Sequence, residues 1–210
     1  DLKKKKHSSS TTTLHPRNIH QGDYDFSSLQ QVYPELQPFV YRSTYQKWTV
    51  DFANPAAVLA LNTALLKQHY QVDSWSIPSG YLCPPVPGRA DYIHHVADLL
   101  GQTNGNKVPK GPQVRCLDLG TGASIIYPII GIRCYGWSFL ATEIDEKALA
   151  FAKKNQSGTP FLRPHLQIVQ QKDRHLFFKN ILSTQDYIQV AMYLSVQNVR
   201  RIALTIMRWG

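Results

Sequence analysis

Residues 114–155 read VRCLDLGTGASIIYPIIGIRCYGWSFLATEIDEKALAFAKKN, and the order of apolar and special residues within them decides the fold. The apolar run 114–119 closes on Asp118-Leu119-Gly120-Thr121-Gly122, which predicts a strand ending in a glycine turn that opens into a helix. A second apolar run, 139–142, ends on Glu143, roughly twenty residues after the glycines, where a carboxylate beyond the second strand can accept from ribose hydroxyls. Glycines let the backbone close on such a ligand. A Gly-x-Gly alone can be only a tight turn; the acidic end of the next strand shifts the reading toward a nucleotide-type site.

Working outward, the pattern continues with a helix predicted over 146–155, a loop holding Gly158 and Pro160, and strands over 166–170 and 187–193. Alternating strands and helices imply an α/β domain built on a parallel, doubly wound sheet. Upstream, residues 48–52 predict a short strand, and Asn54-Pro55 supplies a cap and first-turn proline for a core helix over 56–70. Repeated prolines make 75–89 a shaped loop. The segment 91–100 predicts a helix with Tyr92, Val96, Leu99 and Leu100 inward, ended by Gly101. A polar linker over 101–112 follows.

The chain has 210 residues, enough for one ordinary domain with flanking segments. No apolar run approaches the roughly 18 residues of a membrane span, and the basic N-terminus lacks an apolar core for export. Cys83, Cys116 and Cys134 are odd in number and lack CxxC spacing, so neither a disulfide framework nor a zinc site is indicated, which suits a reducing cytoplasm. The formal net charge of +9 suits a polyanion such as nucleic acid, although much of it lies in Lys3 to Lys6 and in Arg200, Arg201 and Arg208. Residues 1–13, lysines followed by Ser and Thr, are expected to be disordered. In 14–40, His15, Arg17 and His20 alternate with aromatics: either a segment capping the domain or a grip on RNA through phosphates and stacked bases.

Asp118, Gly120, Gly122 and Ser124 lie where a ligand at the carboxyl ends of the strands is held, Ser124 close to a helix N-terminus. The turn lacks a third glycine, which disfavours a dinucleotide pyrophosphate and admits a ligand without phosphates, such as S-adenosylmethionine. Glu143 is the candidate ribose acceptor or, alternatively, a neighbour of the next helix cap. Arg89 can pair with a ligand carboxylate or with an internal acid. His94 and His95 point about 100° apart on a helix, so a shared metal is not expected.

The blocks LHPRNIHQGDYD, VDFANPAAVLALNTALL, IPSGYLCPPVPGRADYIHHVADLL, LDLGTGASIIYPIIG and YGWSFLATEID, spanning about residues 14–155, resemble the bacterial large-subunit ribosomal RNA adenine-N6 methyltransferase F family. The resemblance implies a Rossmann-like methyltransferase fold, S-adenosylmethionine as donor, and an adenine N6 of large-subunit (23S) ribosomal RNA as acceptor. It implies cofactor contacts at Arg89, Gly120, Ser124 and Glu143, and an RNA-facing role for His15, Arg17 and Asn18. It also implies an Asn-Pro-Pro-Phe motif after the fourth strand, orienting the amine of a flipped adenine. Here Tyr193 is followed by Leu194-Ser195-Val196-Gln197, so no catalytic residue is assigned. The expected organisation is a basic tail over 1–13, an N-terminal RNA-facing segment over 14–105, a partial methyltransferase domain over 106–193, and a divergent tail over 194–210. A chain truncated or frameshifted near residue 194, with a sheet incomplete at its end and weak or no turnover, is the corresponding expectation.

Overall fold

The computed structural model describes residues 13–172 and the backbone of two strands at 192–194 and 203–208; the tail expected over 1–13 falls almost wholly outside the described residues. The N-terminal part carries α1 (Phe26–Val32), a 3-10 turn (Pro34–Phe39), and an antiparallel ribbon of β1 (Val40–Arg42) and β2 (Trp48–Val50). Helices α2 (Pro55–Tyr70) and α3 (Val86–Gln102) follow. Next come β3 (Arg115–Leu119), α4 (Ile126–Tyr135), β4 (Ser138–Glu143), α5 (Glu146–Ser157), a 3-10 turn (Pro160–Leu162) and β5 (Leu166–Gln170). The last strands are β6 (Met192–Leu194) and β7 (Ala203–Arg208).

The sheet order is β5-β4-β3-β7-β6. Strands β3, β4 and β5 are parallel, with Leu117 opposite Leu140 and Ala141 opposite Ile168. The wholly parallel sheet anticipated from the alternation stops there: β7 runs antiparallel to β3, and β6 antiparallel to β7. Only residues 195–202 join β6 to β7, too few for the crossover of a dozen or more residues that a parallel pair requires. Most of the strand predicted at 187–193 lies outside the described residues.

Helix α4, IYPIIGIRCY, is apolar around nearly its whole circumference because it packs on β4 and is covered by α3 and α2. Ile129 and Ile130 are fully buried, each burial favouring the fold by about 1.5–3 kcal/mol over exposure. Gly131 lets the helix approach the sheet: an added Cβ would lie 2.5 Å from Cζ of Phe139. A glycine in the second turn of α4 thus serves helix–sheet packing.

Asn54 caps α2 through the amide of Ala56 at 2.9 Å, with Pro55 in the first turn as expected. Helix α3 differs from expectation at both ends. It begins at Val86, inside the proline-rich stretch, because prolines are tolerated in a first turn where amides need no helical acceptor. The amide of Val86 instead donates to Oδ1 of Asn62, buried on α2, at 2.8 Å. At the other end the helix runs through Gly101 to Gln102, and Leu99, expected inward, is exposed; Ile93, His94 and Ala97 fill the buried face with Val96 and Leu100.

Candidate functional site: the cleft at the ends of β3 and β4

Gly120 and Gly122 adopt left-handed φ of +72° and +68°, and no atom lies within 4 Å of where a Cβ would sit on either. Their outer face is open space. The amides of Gly120 and Thr121 both donate to the carbonyl of Thr142 at 2.9 Å, fastening the end of β3 to the end of β4. Gly122 then donates to Oε2 of Glu143 at 2.8 Å, while Oε1 accepts from Ile144 (2.8 Å) and Asp145 (2.9 Å). The cap of α5 is Asp145, through Ala148 at 2.7 Å, so Glu143 is the carboxylate that shapes the turn before that helix.

Asp118 is 1% exposed, and the buried Thr121 hydroxyl is set against its carboxyl in a geometry too poor to satisfy either oxygen among the described residues. Burial pushes the Asp118 carboxyl up to about 6, the nearby Thr121 hydroxyl opposing the shift and the Glu143 charge adding to it. Arg89, half-buried in the first turn of α3, donates to the Tyr127 hydroxyl at 2.8 Å, and its guanidinium lies over that ring. It forms no ion pair among the described residues. Burial raises Tyr127 to about 12 even though Arg89 pulls it down.

Ser124 stands two residues ahead of α4, as the spacing predicted, and Ile125 caps that helix at φ +46°. A left-handed conformation is costly for a β-branched residue, and such strain persists where surrounding contacts over-determine it. Those contacts come from residues that sequence reasoning missed. Trp75 donates its indole N–H to the carbonyl of Ser124 at 2.9 Å. Asn155, 1% exposed, donates to the carbonyls of Ala123 and Ser76 and accepts from the Ser76 amide. Tyr81 donates to Oδ1 of Asp145 at 2.8 Å, bringing the loop over 71–85 to the acidic turn. The proline content of that loop signalled a fixed shape; nothing local signalled these partners.

The LHPRN segment lies along α3. His15 accepts at Nδ1 from the Arg17 amide and so carries its proton on Nε2, which donates to Asp98 at 2.8 Å. Arg17 pairs with Asp98 at 2.6 Å and donates to the Tyr135 hydroxyl and the His94 carbonyl. Asn18 donates to Pro87 and Asp91. His15 and Asn18 are therefore turned inward and buried, while Arg17 keeps 39% of its side chain exposed. Together His15 and Arg17 hold the Asp98 carboxylate below its usual range. Of the histidine pair, His94 is core and His95 exposed, and no metal-binding cluster occurs among the described residues. No helix among them is long and apolar enough to cross a membrane.

A family profile described as RNA methyltransferase matches residues 8–194. The chain belongs to that RNA methyltransferase family. It is 50% identical over 173 residues to the ribosomal RNA large subunit methyltransferase F proteins of Yersinia pestis (strain Pestoides F) and Yersinia pseudotuberculosis (serotype O:3, strain YPIII), covering 82% of this chain and 52% of each relative. The chain thus spans about half the length of these relatives. Among solved structures it resembles the N-terminal domain of human METTL16 in complex with SAH (TM-score 0.69, 32% identity, 84% of this chain and 65% of that one). It also resembles the hMettl16 catalytic domain in complex with the MAT2A 3'UTR hairpin 6 (TM-score 0.66, 36% identity, 77% and 55%). The fold is the Rossmann-like fold of these methyltransferases.

Proposed function

We propose that this chain forms the cofactor-binding part of an enzyme that uses S-adenosylmethionine to methylate N6 of an adenine in large-subunit (23S) ribosomal RNA, in the cytoplasm. The observation that carries the reading is Asp118: a buried carboxyl with no well-formed hydrogen bond, opposed only by the Thr121 hydroxyl and close in sequence to the open-faced Gly120 and Gly122, suits a ligand bearing cationic groups. When bound, the cofactor supplies a methyl group on a sulfonium. Asp118 and Thr121 would hold its ammonium group, and Arg89 with the turn at Gly122 and Ser124 its carboxylate. Glu143, whose oxygens already accept from three amides, would accept from the ribose. The chain's own contribution is to bind and orient.

For the RNA, His15 and Asn18 would act by fixing the LHPRN segment to α3, leaving Arg17 toward the nucleic acid. The same N-terminal part exposes Tyr41, Tyr45, Trp48 and Phe52, with the Arg42 guanidinium over the Trp48 ring, side chains on which unpaired bases can stack. The relatives named for ribosomal RNA and the METTL16 domain solved with an RNA hairpin support this acceptor class.

A second reading is a non-catalytic RNA-binding module, favoured by Leu194-Ser195-Val196-Gln197 standing where the family motif Asn-Pro-Pro-Phe is expected. Calorimetry with S-adenosylhomocysteine tests the cofactor site: one-site binding, lost in Arg89→Ala, is expected, and no heat of binding refutes the first reading. Methyl transfer by these 210 residues to 23S RNA is expected to be weak or absent. Sustained turnover would show that the missing motif is dispensable. RNA binding that falls steeply with salt and weakens in Trp48→Ala, without a change in cofactor affinity, is expected of the ribbon.

A further inference from the structure

The carbonyls of Ala123 and Ser124 are each held by a buried side chain from a different part of the chain, Asn155 and Trp75, both at 2.9 Å. In a trans peptide the carbonyl and the following N–H point in opposite directions. Fixing these two carbonyls toward Asn155 and Trp75 therefore turns the amides of Ser124 and Ile125 away from them. The Ser124 amide meets no well-aligned acceptor among the described residues, whereas Ile125 closes the hydrogen-bonded turn over 122–124. They directly precede α4, whose cap has no side-chain hydrogen bond, and Tyr127, in the first turn of α4, holds Arg89. The Ser124 amide, a helix N-terminus and a guanidinium converge on one short segment, an arrangement that favours a carboxylate.

We propose that Asn155 and Trp75 are positioning residues for the cofactor's carboxylate end: they touch no ligand, but orient the Ser124 amide and hold Ile125 in its left-handed conformation at the start of α4. Asn155 does this by tying Ala123 to both backbone groups of Ser76, so that the loop carrying Trp75 and the glycine turn move as one body. The inference rests on the cofactor reading given above.

The test uses Trp75→Phe, which keeps the ring and loses the N–H, and Asn155→Asp, which loses the donor and keeps the acceptor. Two probes are titrated into the full chain: S-adenosylhomocysteine, and 5'-methylthioadenosine, which shares its adenosine and thioether but lacks the amino-acid end. Each variant is expected to bind S-adenosylhomocysteine about tenfold more weakly and 5'-methylthioadenosine as the wild type does. Equal weakening for both probes, or unchanged affinity with a lowered melting temperature, means that the two side chains only support the fold and overturns the proposal. A wild-type chain that binds 5'-methylthioadenosine but gains nothing from the amino-acid end overturns the proposal and leaves the adenosine site intact. Absence of binding to both probes overturns the cofactor reading and the proposal with it.

Discussion

The amide of Gly122 and the carboxylate of Glu143 meet at 2.8 Å across the ends of two parallel strands, so one buried acidic side chain fixes the conformation of the glycine turn. Its other oxygen accepts from Ile144 and Asp145. Glu143→Gln keeps the shape but replaces one acceptor oxygen with an N–H donor that then faces a backbone amide. The variant is expected to lose about 1.5–3 kcal/mol of stability in urea denaturation and to bind S-adenosylhomocysteine more weakly. A variant as stable as the wild type would show that the turn holds itself.

Gly131→Ala separates two opposing effects. An alanine favours the helix by about 1 kcal/mol over glycine, but its Cβ would lie 2.5 Å from Cζ and 2.7 Å from Cε2 of Phe139. That ring is buried in β4, so it must shift within packed surroundings. Overpacking of this kind costs about 1–3 kcal/mol, so the net change is expected to be destabilising. Chemical denaturation checks the sign; a gain in stability would show that α4 can lift off the sheet at little cost.

These sites show what the sequence could and could not disclose. The glycine turn, the Asn54-Pro55 helix start and strand β5 were legible because each carries a local residue pattern, whatever partners complete it. Asn155, Trp75 and Tyr81 were not, since their partners at Ser76, Ser124 and Asp145 lie 79, 49 and 64 residues away. The early start of α3 was hidden for the same reason, its first amide being met by Asn62 of another helix. The resemblance implies an RNA-facing role for the segment holding His15 and Asn18, but no local signal shows that Asp91 and Asp98, spaced two turns apart on α3, hold these two side chains.

Acid is expected to destabilise the N-terminal part first. Burial holds His20 and His94 down to about 4, from an ordinary 6.5, and the second hydrogen bond on the Tyr135 hydroxyl, donated by Arg17, leaves that hydroxyl to donate to a neutral His94. Between those values the unfolded chain binds protons that the folded chain does not. Stability present above 6.5 is therefore lost as pH falls toward 4, by up to about 1.4 kcal/mol per pH unit for each histidine. Melting temperatures between pH 4.5 and 7.5 should show the decline, and His94→Asn should flatten it. An unchanged slope in that variant would mean that His94 is already charged in the folded state.

Asp118 acts in the opposite sense. Its carboxyl is raised from 3.8 to about 6, so between those values the folded chain holds a proton that the unfolded chain releases, and the group subtracts stability as pH rises through that window. A cationic ligand reverses the balance, because it favours the ionised form in a site where Glu143 and burial disfavour it. Affinity for S-adenosylmethionine is accordingly expected to rise with pH through about 6, by up to tenfold per pH unit below that value, and to level off above it. Asp118→Asn should be more stable than the wild type at pH 7, bind the cofactor weakly, and lose the pH dependence. Calorimetric titrations at pH 5, 6 and 7 decide the matter: if Asp118→Asn keeps the wild-type slope, the titrating group is another, and the buried carboxyl does not face the ligand's charge.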